Sequence, residues 1–137
     1  MIANTFGKNI AEQDFIINFL KFLAREFSNF KIFGVTVKDG AFVIYKDAKG
    51  NITDPQKITS RFMGKGVTDL VGAGDSFRAG VVTYIVKNIE AFKNDKIDIE
   101  QAIQMGNLFA SRYIKAPLND RYGSIEHYDK MLEIINK

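Results

Sequence analysis

The chain contains no cysteine and a single histidine, His127. Disulfides and thiolate metal sites are thereby excluded, as are a histidine-based metal centre and a catalytic triad. No uninterrupted apolar stretch approaches the ~20 residues that cross a bilayer. The opening MIANTFGKNIAEQ lacks the charged-then-apolar layout of a secretory leader. Charge is not concentrated either: 19 basic residues against 16 acidic ones leave a net +3, and the lysines are scattered rather than gathered into a nucleic-acid-binding arm. Internal repeats and low-complexity tracts are missing as well. These absences predict a soluble cytoplasmic protein without membrane or nucleic-acid partners. What remains is globular in character, with 46% hydrophobic and 26% charged residues. A chain of 137 residues is expected to form a single domain, 1–137, with a real core.

Periodicity supplies the element order. Asn9 and Glu12 read as a capping box opening a helix over 10–28, in which Phe15, Ile16, Phe19, Leu20, Leu23 and Phe27 recur at helical spacing. Strands are predicted over 31–37 and 41–45, with Asp39-Gly40 as the hairpin turn. A second turn falls at 47–50 and a further strand at 57–62. A glycine-punctuated loop, 64–74, then runs into an apolar segment, 77–86, that reads as a buried helix. Asp98 and Gln101 form another capping box, for a helix reaching about Tyr113. Breakers fill 117–123, and Ser124 is expected to cap a last helix carrying Ile125, Tyr128, Met131, Leu132 and Ile135. The phenylalanines read as core filling, and Lys46, Lys49 and Lys57 as a wet surface. The order of helix, strands, glycine loop and three helices indicates a layered α/β architecture.

The chemically informative stretch is Asp69-Leu70-Val71-Gly72-Ala73-Gly74-Asp75-Ser76-Phe77-Arg78-Ala79-Gly80. Small residues ahead of a helix leave its first backbone N–H groups uncovered, and the helix dipole adds partial positive charge, so the loop is suited to an anion. A glycine lets a phosphate approach the backbone where a side chain would hold it off. Asp75 stands beside that anion, where a purely structural carboxylate would be ill placed. Proton removal gives it a purpose, since a hydroxyl attacking a phosphoryl group must lose its proton. A positioned base contributes roughly 10²–10⁴-fold to such a step.

This stretch resembles the second signature of the PfkB/ribokinase carbohydrate kinases, D-T-x-G-A-G-D-x-F-x-x-G. Asp69, Gly72, Ala73, Gly74, Asp75, Phe77 and Gly80 match it, and Leu70 stands where the family has threonine. The resemblance implies an ATP- and Mg2+-dependent transfer of phosphate to a hydroxyl of a sugar or related small molecule. It makes Asp75 the catalytic base and the Gly72, Ala73 and Gly74 amides an anion hole. It further implies that Thr36 and Gly40, in IFGVTVKDG, and Asn107, in GNLFAS, help hold ATP. Lys38 departs from that pattern, standing where a glycine is expected. Asp69 and the Val71 carbonyl are similar to half of a monovalent-cation (K+) site, whose other half would fall near 116–124. The implied fold is the C-terminal part of a three-layer α/β/α ribokinase-like domain. The family's substrate-binding N-terminal half has no counterpart in the first thirty or so residues. The chain is therefore expected to be a fragment with little activity alone, pairing with itself or with a complementary N-terminal half.

Plainer readings stand beside these. Gly72-Ala73-Gly74 can be a tight turn for helix packing, and Asp75 a dipole partner. Arg78 can touch phosphate, pair with Asp75 or be solvated. Gly64-Lys65-Gly66 lacks the remainder of a P-loop and reads as a flexible loop. His127 carries no role. A non-catalytic nucleotide-binding or regulatory remnant of such a kinase is the alternative function, and a nucleic-acid-interacting domain a more distant one.

Overall fold

The computed structural model describes residues 12–62 and 66–137. The Asn9 cap and the Gly64-Lys65 turn lie outside the described residues. The protein is of mixed α/β class and divides into two compact units, Met1–Ile58 and Thr59–Lys137.

In the first unit, helix α1 (Glu12–Glu26) lies on a hairpin of β1 (Ile32–Val37) and β2 (Gly40–Tyr45). Ile16, Leu20 and Ala24, spaced by four, form the buried stripe and pack with Phe30, Phe42 and Ile44. That stripe is narrower than the periodicity suggests. Phe19, Phe22 and Phe27 are exposed, so the phenylalanines are not uniformly core filling. The strands pair antiparallel from Ile32 opposite Tyr45 to Val37 opposite Gly40. The tight turn is therefore Lys38-Asp39, one residue earlier than Asp39-Gly40, because Gly40 is already the first residue of β2. β2 is central, with β3 (Gln56–Thr59) on its other side, and its Ala41, Phe42, Val43 and Ile44 are all buried.

Two of the three turn lysines are tied down rather than merely solvated. Lys46 donates to the Ser28 carbonyl and Lys57 pairs with Asp39 at 2.9 Å. At the second turn, Asp47 Oδ1 accepts from the amides of Lys49 and Asn51, and Gly50 takes a left-handed φ of 79°.

The second unit is built on helices α2 (Ala73–Lys87) and α4 (Ile99–Lys115), with a short α3 (Ile89–Lys93) between them in sequence and α5 (Tyr128–Ile135) closing the core. Tyr84, Ala102, Met105, Leu108, Phe109, Met131 and Ile135 form that core. Gly80 and Gly106 let the two long helices approach closely. A Cβ on Gly80 would lie 2.6 Å from the Met105 carbonyl oxygen, and one on Gly106 would lie 2.8 Å from that of Phe77. α2 buries one face only, through Ser76, Gly80 and Tyr84, while Val82 and Val86 are exposed. The expectation of a wholly buried helix over 77–86 is corrected accordingly. The helix also begins at Ala73, so part of the expected glycine loop is already helical.

Capping follows the sequence in one place and departs from it in another. Asp98 Oδ1 accepts the Gln101 amide at 3.1 Å, whereas the Gln101 side chain turns away to Asn136, leaving the box half formed. Ser124 does not cap α5. It donates to the Arg121 carbonyl within a 3₁₀ turn (Tyr122–Ser124), and the exposed His127 occupies the N-cap position without a side-chain bond.

Candidate functional site

The candidate site gathers at the start of α2. Residues 68–72 are held to the C-terminal end of α4. The amides of Thr68 and Asp69 both donate to the Ile114 carbonyl, at 2.8 and 3.3 Å, and the Thr68 hydroxyl reaches the Lys115 carbonyl. Asp69 Oδ1 then accepts the Val71 amide at 3.0 Å, turning the chain into the helix. Gly72 completes that turn at φ 88°, in the left-handed region where L side chains are strained. A Cβ there would also lie 2.7 Å from the Tyr113 ring. Chain geometry alone therefore requires a glycine at 72.

Gly74 is different. It sits in the first turn of α2, and a Cβ on it would meet only Arg78 Nη1, at an ordinary 3.7 Å. Nothing among the described residues demands glycine at 74, although glycine within a helix costs roughly 0.5–1 kcal/mol against alanine. The N-cap residue Gly72 offers no side-chain acceptor. In contrast to α4, which Asp98 caps, α2 thus opens without a side-chain partner for its leading amides. Of the expected anion hole, the Ala73 amide is committed to the Leu70 carbonyl at 3.1 Å. Those of Gly74 and Asp75 meet no acceptor among the described residues. The donor set suited to an anion therefore shifts one residue along the chain, to the amides of Gly74 and Asp75.

Asp75 points to solvent, its side chain 91% exposed, and accepts from Arg78 Nη1 at 3.0 Å. Of the three readings of Arg78, pairing with Asp75 is the one observed. So exposed a pair contributes under about 1 kcal/mol and can open readily.

The cation contacts suggested for Asp69 and Val71 are taken by a residue that sequence reasoning did not single out. Arg121 is nearly buried, donates to the Val71 carbonyl at 2.7 Å and to the Asp69 carbonyl at 3.2 Å, and stacks 4.9 Å over the Tyr113 ring. It falls within 116–124, the stretch expected to supply the other half of the cation site. A guanidinium beside these carbonyls does not fit an added K+. Each carbonyl already accepts from the guanidinium, whose positive charge repels a second cation at contact distance.

The remaining predicted residues belong to other elements. Asn107 is inside α4, 6% exposed, and donates to Gln104 Oε1 at 3.1 Å. Gln104, itself buried, also accepts the Arg61 amide and donates to the Thr59 carbonyl. Asn107 thus belongs to an internal polar knot. Thr36 and Gly40 belong to the first unit, Thr36 exposed opposite Ala41 and Gly40 buried at the start of β2. In the second unit a cavity of about 590 Å³ is lined by Phe62, Leu108, Ser111, Arg112, Lys115 and Ile134 among others. Ala116 and Ser124, the two ends of the 116–124 stretch, also line it, but Thr36, Gly40, Asp69, Asn107 and the residues from Val71 to Asp75 do not.

Among the described residues no three carboxylate or imidazole groups stand together as a metal cage. Magnesium carried by nucleotide phosphates needs no such cage, since one or two carboxylates and the phosphates themselves hold it. No family model, curated protein or solved structure matches the chain.

Proposed function

We propose that the chain is the nucleotide-binding, catalytic C-terminal part of an ATP-dependent phosphotransferase acting on a hydroxyl of a sugar-like molecule, with a ribokinase-like fold in the complete enzyme. The observation that carries this reading is an uncapped helix mouth. A glycine with no steric reason of its own, two unbonded amides and an exposed carboxylate fall together in the adjacent residues Gly74 and Asp75. The amides and the positive helix end hold a terminal phosphoryl group. Asp75, released from Arg78, accepts the proton of the attacking hydroxyl. Arg78 is then free to lie against phosphate oxygens. ATP and Mg2+ are the implied cofactors, and the substrate side is supplied by a complementary N-terminal half.

The test is phosphoryl transfer from ATP by the chain joined to its substrate half, compared with Asp75→Asn. A loss of roughly 10²-fold or more in turnover, with ATP affinity retained, supports the reading. Turnover unchanged by Asp75→Asn contradicts it. The Asp75–Arg78 pair favours one second reading, a nucleotide-binding remnant without catalysis, because a carboxylate oxygen engaged by a guanidinium is not free to take a proton. That reading predicts ATP binding with no turnover in either protein.

A further inference from the structure

The guanidinium that grips the loop takes no part in phosphoryl transfer. The Arg121 side chain is 9% exposed, and its fork spans the carbonyls of Val71 and Asp69 while the Asp69 carboxylate lies 3.9 Å away. Its Nε has no hydrogen-bond partner among the described residues, so the bidentate grip on the loop and the ring of Tyr113 account for its placement. The same ring closes on Gly72, and the same loop is strapped to the Ile114 carbonyl at the negative end of α4. Carbonyl oxygens, a carboxylate and a helix C-terminus converge here, an arrangement that calls for positive charge.

We infer that Arg121 is the fixed cation of this loop, a positioning residue that does permanently what a bound monovalent ion would do, so that the loop's geometry is independent of K+. Its consequence for ATP rests on the phosphate-binding reading above, whereas its consequence for the loop does not. The fork pulls the carbonyls of Asp69 and Val71 back toward α4. With those two carbonyls held, the turn that leads into α2 is fixed.

The test is hydrogen exchange on the whole chain, in KCl and in tetramethylammonium chloride at equal ionic strength. The amides of Val71 and Ala73 are followed, with that of Ala102, bonded to the Asp98 carbonyl, as reference. Wild-type rates are expected to agree between the salts within about twofold. Arg121→Met is expected to raise the rates at Val71 and Ala73 about tenfold or more while leaving Ala102 unchanged. Arg121→Lys keeps the charge but loses the fork and is expected to fall between the two. It carries the test if the methionine variant does not fold. Protection of the wild-type loop by K+, or unchanged loop rates in the variant measured, overturns the inference. ATP titrations in the two salts separate the readings. Equal affinity agrees with the inference, and a K+-dependent gain contradicts it. Binding in neither salt defeats the phosphate reading while the exchange data still decide the role of Arg121.

Discussion

Two glycines that look alike in the sequence differ in what holds them in place. Gly72 is required by its own backbone and by Tyr113, so Gly72→Ala is expected to destabilise the second unit by about 2 kcal/mol, measurable by denaturant unfolding. Gly74→Ala has room for its methyl group and should leave stability unchanged or slightly raised. Its cost should appear in ATP affinity instead, about tenfold, because the methyl stands where a phosphate oxygen must approach. Equal ATP affinity for Gly74→Ala and wild type in a calorimetric titration contradicts this assignment. The motif was legible as a motif, but which glycine serves the fold and which the ligand was not. That distinction depends on Tyr113, about forty residues away along the chain. Arg121 was illegible for a similar reason: a lone arginine among loop residues announces no partner until α4 brings the loop beneath it. A residue-scale pH effect arises in the first unit. The hydrogen bond from Lys57, with its positive charge, holds the Asp39 carboxyl below its ordinary value. Because that pKa is lowered on folding, the stabilisation is present above the unfolded carboxyl value of about 4 and is lost as pH falls through the lower folded value. Lys57→Met should return Asp39 to an ordinary titration by NMR, and an unmoved midpoint would count against the pair.

Among the elements, the amphipathic helices and the hairpin were the easiest to foresee, because period and turn chemistry are local. α1, β1 and β2 fall within a few residues of their expected limits. The hairpin turn slipped by one residue since Gly40 can extend β2 as well as occupy a turn, and cross-strand register decides between these. α2 was expected too late and too deeply buried. Its apolar run, 77–86, hides the fact that only Ser76, Gly80 and Tyr84 are fully buried. The short α3 left no periodic signal in five residues. The contact of α2 with α4 gives the element-scale prediction. Gly80→Ala places a methyl against the backbone of Met105 and Gly106, and is expected to cost about 1–3 kcal/mol in unfolding experiments. A neutral effect would mean that the helices are not so closely packed.

At the scale of the whole molecule, the mixed α/β class was readable from element order, but the division into two units was not, since no linker-like composition marks residue 58. Exposed apolar residues recur in both units: Phe19, Phe22 and Phe27 in the first, and Val82, Val86 and Leu118 in the second. Such surfaces predict self-association or capture of a complementary chain, checked by sedimentation velocity, where a strictly monomeric species at high concentration contradicts the expectation. The central claim, that the mouth of α2 grips a terminal phosphate, is tested most directly by titrating ATP with Mg2+ into the 15N-labelled chain. The amide signals of Gly74 and Asp75 are predicted to shift saturably, with Ala73 moving less and Gly74→Ala weakening the response. Shifts spread over surface lysines with those two amides unmoved would contradict the account.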